Sequence, residues 1–317
     1  MMNSNRCVTG FLLAMVVISS SCRDSFSPEI DDYKNNLVVD GMISNEPGPY
    51  KVSLSLSSPV NDPDYIPLSG CKVTISSLEG ESEELQEEAP GVYVSSPEGI
   101  QGQVGHSYKL SVVSPEGKHY QTSFIKMPFP VGIDTVKAEL QFRDNNAYAY
   151  PVGGYQFYLS TEEAADEESY FLWKLEETYE FHSQYKIHML YRGMGLEPFF
   201  NRDSLYVCWK TQKIPQIFTG STNDLTSGRL INEPIHYVNT ETKRLQARYS
   251  LLVKQYSIPS QAYYHWKAVQ EQVEGDDFLF ANQPYQIMGN LKNVDDPKDR
   301  ALGFFTVGAV EQERYFF

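Results

Sequence analysis

The feature that most restricts the fold of this chain is a period of two. Between Leu37 and about Met127, apolar side chains recur at alternate positions in short runs, and turn residues interrupt them about every eight to twelve positions. Val52, Leu54 and Leu56 alternate with Lys51, Ser53 and Ser55, while Cys71, Val73 and Ile75 alternate with Lys72 and Thr74. Successive side chains of a strand point to opposite faces, so these runs are half-buried strands with one dry and one wet face. Residues 37–43, 91–95, 107–113 and 119–125 make further strands, and Pro115-Glu116-Gly117 turns the last two into a hairpin. The pattern predicts an immunoglobulin-like β-sandwich over residues 37–130. Within it, Gly102 and Gly105 lead into Tyr108, Leu110 and Val112, so the Tyr108 hydroxyl is expected to bond back to the preceding corner. The acidic run 79–88 (EGESEELQEE) lacks the ligand spacing of a calcium loop and is expected to be a solvated hairpin tip.

Met127-Pro128-Phe129-Pro130 is a stiff junction, and residues 131–317 are expected to form a larger β-rich domain with one packed helix. Its longest strand spans 170–182, with Phe171, Trp173 and Leu175 on one face and Leu172, Lys174 and Glu176 on the other. Other strands are expected at 133–140, 155–161, 206–210, 235–238, 249–257, 285–291 and 302–310. The helix spans 259–274: Pro259 suits a first turn, Ala262, Trp266, Val269 and Val273 share a face, and Gly275 stops it. Residues 193–203 and 223–233 carry Gly, Pro and Asn without a period and read as loops. Phe199 and Phe200 in the first loop, with Trp209 nearby, are either core or an exposed contact surface for a partner or ligand.

The N-terminus sets the compartment. Arg6 precedes an apolar core at 11–18 (FLLAMVVI), then Ser19, Ser20, Ser21 and Cys22. Eight apolar residues fall short of the about 20 needed to span a bilayer but fit a signal-peptide core. Residues 1–21 are therefore expected to be removed and Cys22 to carry lipid, with 22–36 as a flexible tether. Two or three acyl chains at about 0.8 kcal/mol per buried methylene make such an anchor effectively permanent. The remaining 296 residues carry a formal charge of −16, since only Arg6 is lost with the leader. That charge repels phosphate backbones and anionic headgroups, so no nucleic-acid partner is expected. Cys71 and Cys208 are too few for a disulfide framework and are expected to be buried free thiols.

Familiar catalytic templates are missing: no zinc helix, nucleophile elbow, phosphate loop or paired Cys-x-x-Cys occurs. No catalytic residue, metal or cofactor is therefore assigned. His182 and His188 would lie some 20 Å apart on one strand at about 3.3 Å per residue, too far to share a metal. Arg314-Tyr315-Phe316-Phe317 ends in an aromatic, as outer-membrane barrel strands do, but such a barrel needs at least about eight amphipathic spans of 9 to 11 residues.

With the Cys22 motif, the blocks LVVDGMI (37–43), SGCKVTI (69–75), GVY (91–93), GHSYKLSV (105–112), QPYQIMGNLKNVDDP (283–297) and LGFFTVGAV (302–310) together resemble the DUF4249 lipoproteins of Bacteroidetes. The resemblance covers nearly the whole mature chain. It implies an outer-membrane lipoprotein associated with a TonB-dependent receptor, on the surface or the periplasmic side, and it brings no catalytic residues. The expected function is thus a non-enzymatic accessory or ligand-capture subunit. The alternatives are a free-standing carbohydrate or peptide binder, which would present a row of exposed Trp and Tyr, and a hydrolase of unrecognised type, which would need a cleft of converging carboxylates or histidines.

Overall fold

The structure is a computed structural model that describes residues 35–59, 64–144, 150–164, 168–223, 225–275 and 286–317. The expected leader, Cys22 and nearly all of the tether lie outside the described residues. The first part of the chain forms β1 (Leu37–Ile43), β2 (Lys51–Leu56), β3 (Ile66–Pro67), β4 (Lys72–Ser77), β5 (Ser82–Ala89), β6 (Val92–Val94), β7 (Ser107–Val113), β8 (His119–Gln121) and β9 (Ile125–Lys126). There follow β10 (Ile133–Arg143), β11 (Val152–Thr161), β12 (Tyr170–His182), β13 (Met189–Tyr191), β14 (Leu196–Pro198), β15 (Val207–Ser221), β16 (Glu233–Asn239) and β17 (Arg248–Ser257). Helix α1 (Ser260–Gly275) precedes β18 (Met288–Asn293), β19 (Arg300–Val307) and β20 (Ala309–Phe316). The chain is mainly β, as its alternation predicts, with one α-helix among the described residues.

The expected immunoglobulin-like sandwich is corrected. Strands run in the order β1-β19-β18-β8-β7-β4-β5-β6-β2, and β2 pairs back with β1, so one sheet closes on itself as a nine-strand barrel. Closure removes the unpaired edges that two separate sheets would leave. The alternating residues fill its interior: Val39, Ile43, Val52, Leu54, Val73, Ile75, Leu110, Val112 and Phe305 have no exposure. Its strands are only three to eight residues long, shorter than the about 9 to 11 of a membrane-crossing strand. No described helix is long and apolar enough to cross a membrane. Tyr108 behaves as expected, accepting a hydrogen bond from the backbone N of Gln103 at 2.7 Å.

The acidic run is also corrected: it is mostly strand β5, not a hairpin tip. Leu85 points into the barrel, and Glu83 and Glu87, two places to either side of it on the same strand face, accept backbone N–H groups of neighbouring loops. Glu83 takes Ser96 N at 2.6 Å and Ile100 N at 2.7 Å, and Glu87 takes Gly70 N at 2.9 Å and Gly91 N at 3.0 Å.

Beyond the proline junction, a three-stranded sheet (β10-β11-β16) faces a four-stranded one (β15-β12-β17-β20). Phe157, Leu159, Ile235 and Val238 from the first meet Phe171, Trp173, Leu175, Leu251 and Val253 from the second. The expected division at residue 130 needs correcting here, because β18 and β19 return to complete the barrel while β20 joins the four-stranded sheet. Residues 35–317 cluster as one compact unit. Helix α1 packs Ala262 and Tyr263 against Leu172 and Tyr256 of the four-stranded sheet and Phe304 of the barrel wall, and Trp266, expected to face the sheet, packs against this cluster half-buried. Val273 differs from its expected place on that face and is exposed.

Candidate functional site

Between β12 and β15 the chain leaves the sheets. Residues 193–203, expected as loop, include half of a two-stranded hairpin, β13 with β14, which pairs with no other sheet. Gly193 at φ +77° makes its turn, a conformation that costs a residue with a Cβ, and Arg192 N donates to Gly195 O at 3.1 Å. The excursion is tied at its base: Ser183 N donates to Tyr206 O at 2.9 Å, the His182 and Tyr206 rings stack at 4.8 Å, and Lys186 pairs with Asp203 at 2.9 Å. Beyond the base its apolar side chains meet water. Tyr185, Tyr191, Met194, Leu196 and Leu205 are all exposed.

The three candidate contact residues lie on or beside this excursion. Phe200 is 88 % exposed and Trp209, on edge strand β15, is 55 % exposed, whereas Phe199 is half-buried with its N bonded to His188 O at 2.9 Å. Cys71 and Cys208 are free thiols, but half-buried rather than enclosed; burial pushes the Cys71 thiol up.

A second constellation was not anticipated. On β12, Glu177 follows Phe171, Trp173 and Leu175 on the inward face and is fully buried between the two sheets. It accepts from Arg244 Nη1 at 3.2 Å, from Tyr249 Oη at 2.9 Å and from Gln212 Nε2. The His236 Nε2 atom lies 3.7 Å from Glu177 Oε2, within ion-pair range but beyond hydrogen-bond length, and neither ring nitrogen of His236 has a hydrogen-bond partner among the described residues. Burial pushes the Glu177 carboxyl up, but the surrounding donors and the Arg244 charge outweigh it and hold it down at about 2. A carboxylate so acidic, enclosed and fully bonded is a poor general base near neutral pH. It joins β12, β15, β17 and the 3-10 turn Lys243–Leu245, with β16 alongside through His236. A neighbouring cavity of about 350 Å³, lined by Tyr155, Phe157 and Phe317 among others, touches this node only at Tyr249. Among the described residues no three His, Cys, Asp or Glu converge to hold a metal.

The family model of a domain of unknown function, DUF4249, matches residues 23–314. The chain belongs to this family. No curated protein matches it. The DUF4249 match takes in the barrel, both facing sheets and the excursion, so the exposed aromatic segment lies inside the family domain. What sequence reasoning missed in this DUF4249 protein had a visible signal: an acidic residue two places after Leu175 on an otherwise apolar strand face must be partnered or it would not be buried.

Proposed function

We propose that this DUF4249 protein is an outer-membrane lipoprotein, acylated on Cys22, that acts without catalysis as an accessory subunit of a TonB-dependent receptor. The carrying observation is the excursion between β12 and β15, where Tyr185, Tyr191, Met194, Leu196 and Phe200 are exposed in one segment, with Trp209 exposed on the adjoining edge strand β15. Scattered apolar residues need no explanation, but a run of them on a separate hairpin has the character of an interaction surface. Aromatic anchors dominate interface energies, and a net charge of −16 after removal of the leader leaves apolar contact as the natural means of docking onto another acidic protein. A lipid anchor raises the effective concentration of both partners in the membrane plane, so a modest interface suffices.

The anchor is tested by mass spectrometry of the mature N-terminal peptide, which is expected to begin at Cys22 with two or three acyl chains. An unmodified peptide starting after Ser19 would remove the lipoprotein reading. The partner is tested by pull-down of the tagged lipoprotein from detergent-solubilised membranes. Phe200→Ala is expected to weaken capture of the receptor by about 30-fold, or about 2 kcal/mol, as for a central aromatic anchor. Capture of no receptor at any salt concentration would turn the reading to a free-standing carbohydrate or peptide binder. The exposure of Tyr185 and Tyr191 on the excursion and of Trp209 on the adjoining β15 favours that second reading.

A further inference from the structure

The outward face of the four-stranded sheet carries a concentration of positive charge that is out of character for a chain of net charge −15. Lys174 on β12 and Lys254 on β17 are direct partners across the ladder. Like charges so placed repel, and a fold gains nothing from the pair by itself. Lys254 has a counter-ion, Glu46, at 2.7 Å. Lys174 has none among the described residues; its Nζ lies 3.9 Å from Met42 Sδ and 5.5 Å from the centre of the Tyr256 ring. A third lysine, Lys213 on β15, stands opposite Glu176, but that carboxylate is held by Arg314 at 2.8 Å, so Lys213 also lacks an ion pair among the described residues.

These lysines share a cavity of about 480 Å³ whose other walls are largely apolar, including Leu172, Leu252, Ile217 and the rings of Tyr256 and Trp266. The volume is that of an ordinary small-molecule site. Its shape comes from an irregularity: between the pairs Trp173 with Phe218 and Leu175 with Ile214, the single residue Lys174 faces three residues of β15, Pro215, Gln216 and Ile217. Pro215 has no N–H to contribute to a ladder, and bulges of this kind re-aim side chains beside binding sites. Trp266 is fixed at the rim by its Nε1, which donates to Thr306 Oγ1 at 3.0 Å. The walls of the cavity, together with Lys213 and Lys254, push the Lys174 ammonium below the usual lysine range, while Asp40 and Glu46 oppose the shift.

We propose that this cavity binds a small organic carboxylate: its anionic end lies between Lys174 and Lys213, and its apolar body lies against Tyr256 and Trp266. A monoanion fits better than a phosphate, because Glu176 lines the same cleft and Glu46, paired with Lys254, stands beside it, so a second negative charge would meet them. This assignment is independent of the receptor surface, which lies on the excursion, so failure of either leaves the other standing.

The test uses 2-naphthoate and its uncharged amide, 2-naphthamide, titrated calorimetrically into the soluble mature chain. Naphthoate is expected to bind at least about tenfold tighter than naphthamide, the scale of one charge-assisted hydrogen bond, and Lys174→Gln is expected to remove that difference. Without ligand, Lys174→Gln is expected to melt at the same or a higher temperature than the wild type, since it relieves the repulsion with Lys254. Equal affinity for acid and amide, no binding of naphthoate at millimolar concentration, or naphthoate affinity unchanged in Lys174→Gln would each overturn the proposal. A lowered melting temperature in Lys174→Gln would do the same, since the lysine would then be serving the fold.

Discussion

Glu177→Ala is expected to lower the free energy of unfolding by about 3–5 kcal/mol, the usual cost of breaking a buried ion pair by removing one partner. Among the described residues the carboxylate is the acceptor that Arg244, Tyr249 and Gln212 share, and these come from three separate elements of the second half of the molecule. Alanine leaves a guanidinium, a phenol and an amide facing a small void, and each unsatisfied donor carries its own penalty. The pH dependence provides a check on this cause. The folded-state value of Glu177 is depressed to about 2 from 4.5. Its stabilisation is therefore complete above about pH 4.5 and is lost as pH falls through 2, amounting to about 3 kcal/mol in total. Urea denaturation of wild type and Glu177→Ala at a series of pH values should show the gap between them narrowing over that acid range. A gap that stays constant down to pH 2 would mean that the loss comes from packing and not from the charge. Glu177→Gln, which keeps the shape and one acceptor, is expected to cost less than alanine at neutral pH.

How far these features were legible in the sequence depends on the range of the interaction. The strands at 37–43, 107–113 and 170–182 lie where alternation places them, because period two is a local property of the backbone. Alternation says which face of a strand is dry, but not which strand lies beside it. The barrel is closed by β19 beside β1, with Val38 opposite Leu302, and no local pattern announces a pairing across so much chain. A sandwich and a closed barrel share the same short amphipathic strands, so the distinction rests on that one parallel contact. In the acidic run, six polar residues of β5 concealed the single buried Leu85, and the bonding of Glu83 and Glu87 to distant backbone N–H groups could not be read from spacing. At the candidate contact surface, Phe199 and Phe200 were legible as residues either buried or in contact; the short hairpin that leaves Phe200 exposed was not, because three-residue strands carry too little periodicity. Glu177 and Lys174 were within reach: each is an ionisable residue on a regular strand, and each needs a partner or a ligand.

The seam that the sequence left hidden has its own test, because Gly303→Ala is expected to destabilise the protein by about 2–5 kcal/mol. Gly303 lies in β19 opposite Val39 of β1, with φ at +72°. A residue with a Cβ in the left-handed region pays about 1–2 kcal/mol for its backbone alone. Here the Cβ would also stand 2.0 Å from Val39 O, a backbone atom locked in the neighbouring strand, so relief requires the two strands to part. Overpacking of this kind adds about 1–3 kcal/mol. Nor can β19 shift the other way: Gly289 of β18 approaches so closely that a Cβ there would lie 2.2 Å from Gly303 O. Asn290 beside it clamps Phe305, accepting from its N at 3.0 Å and donating to its O at 2.8 Å where the β18 backbone bulges away. Gly117→Ala provides the control. Gly117 has a similar φ of +82° in the β7–β8 turn, but nothing lies within 4 Å of an added Cβ, so it should pay for backbone strain alone. Chemical denaturation should therefore show Gly303→Ala losing at least about twice as much stability as Gly117→Ala. Equal losses would mean that β1 and β19 yield at little cost, and that the parallel contact between the first and last parts of the described chain is not what closes the barrel.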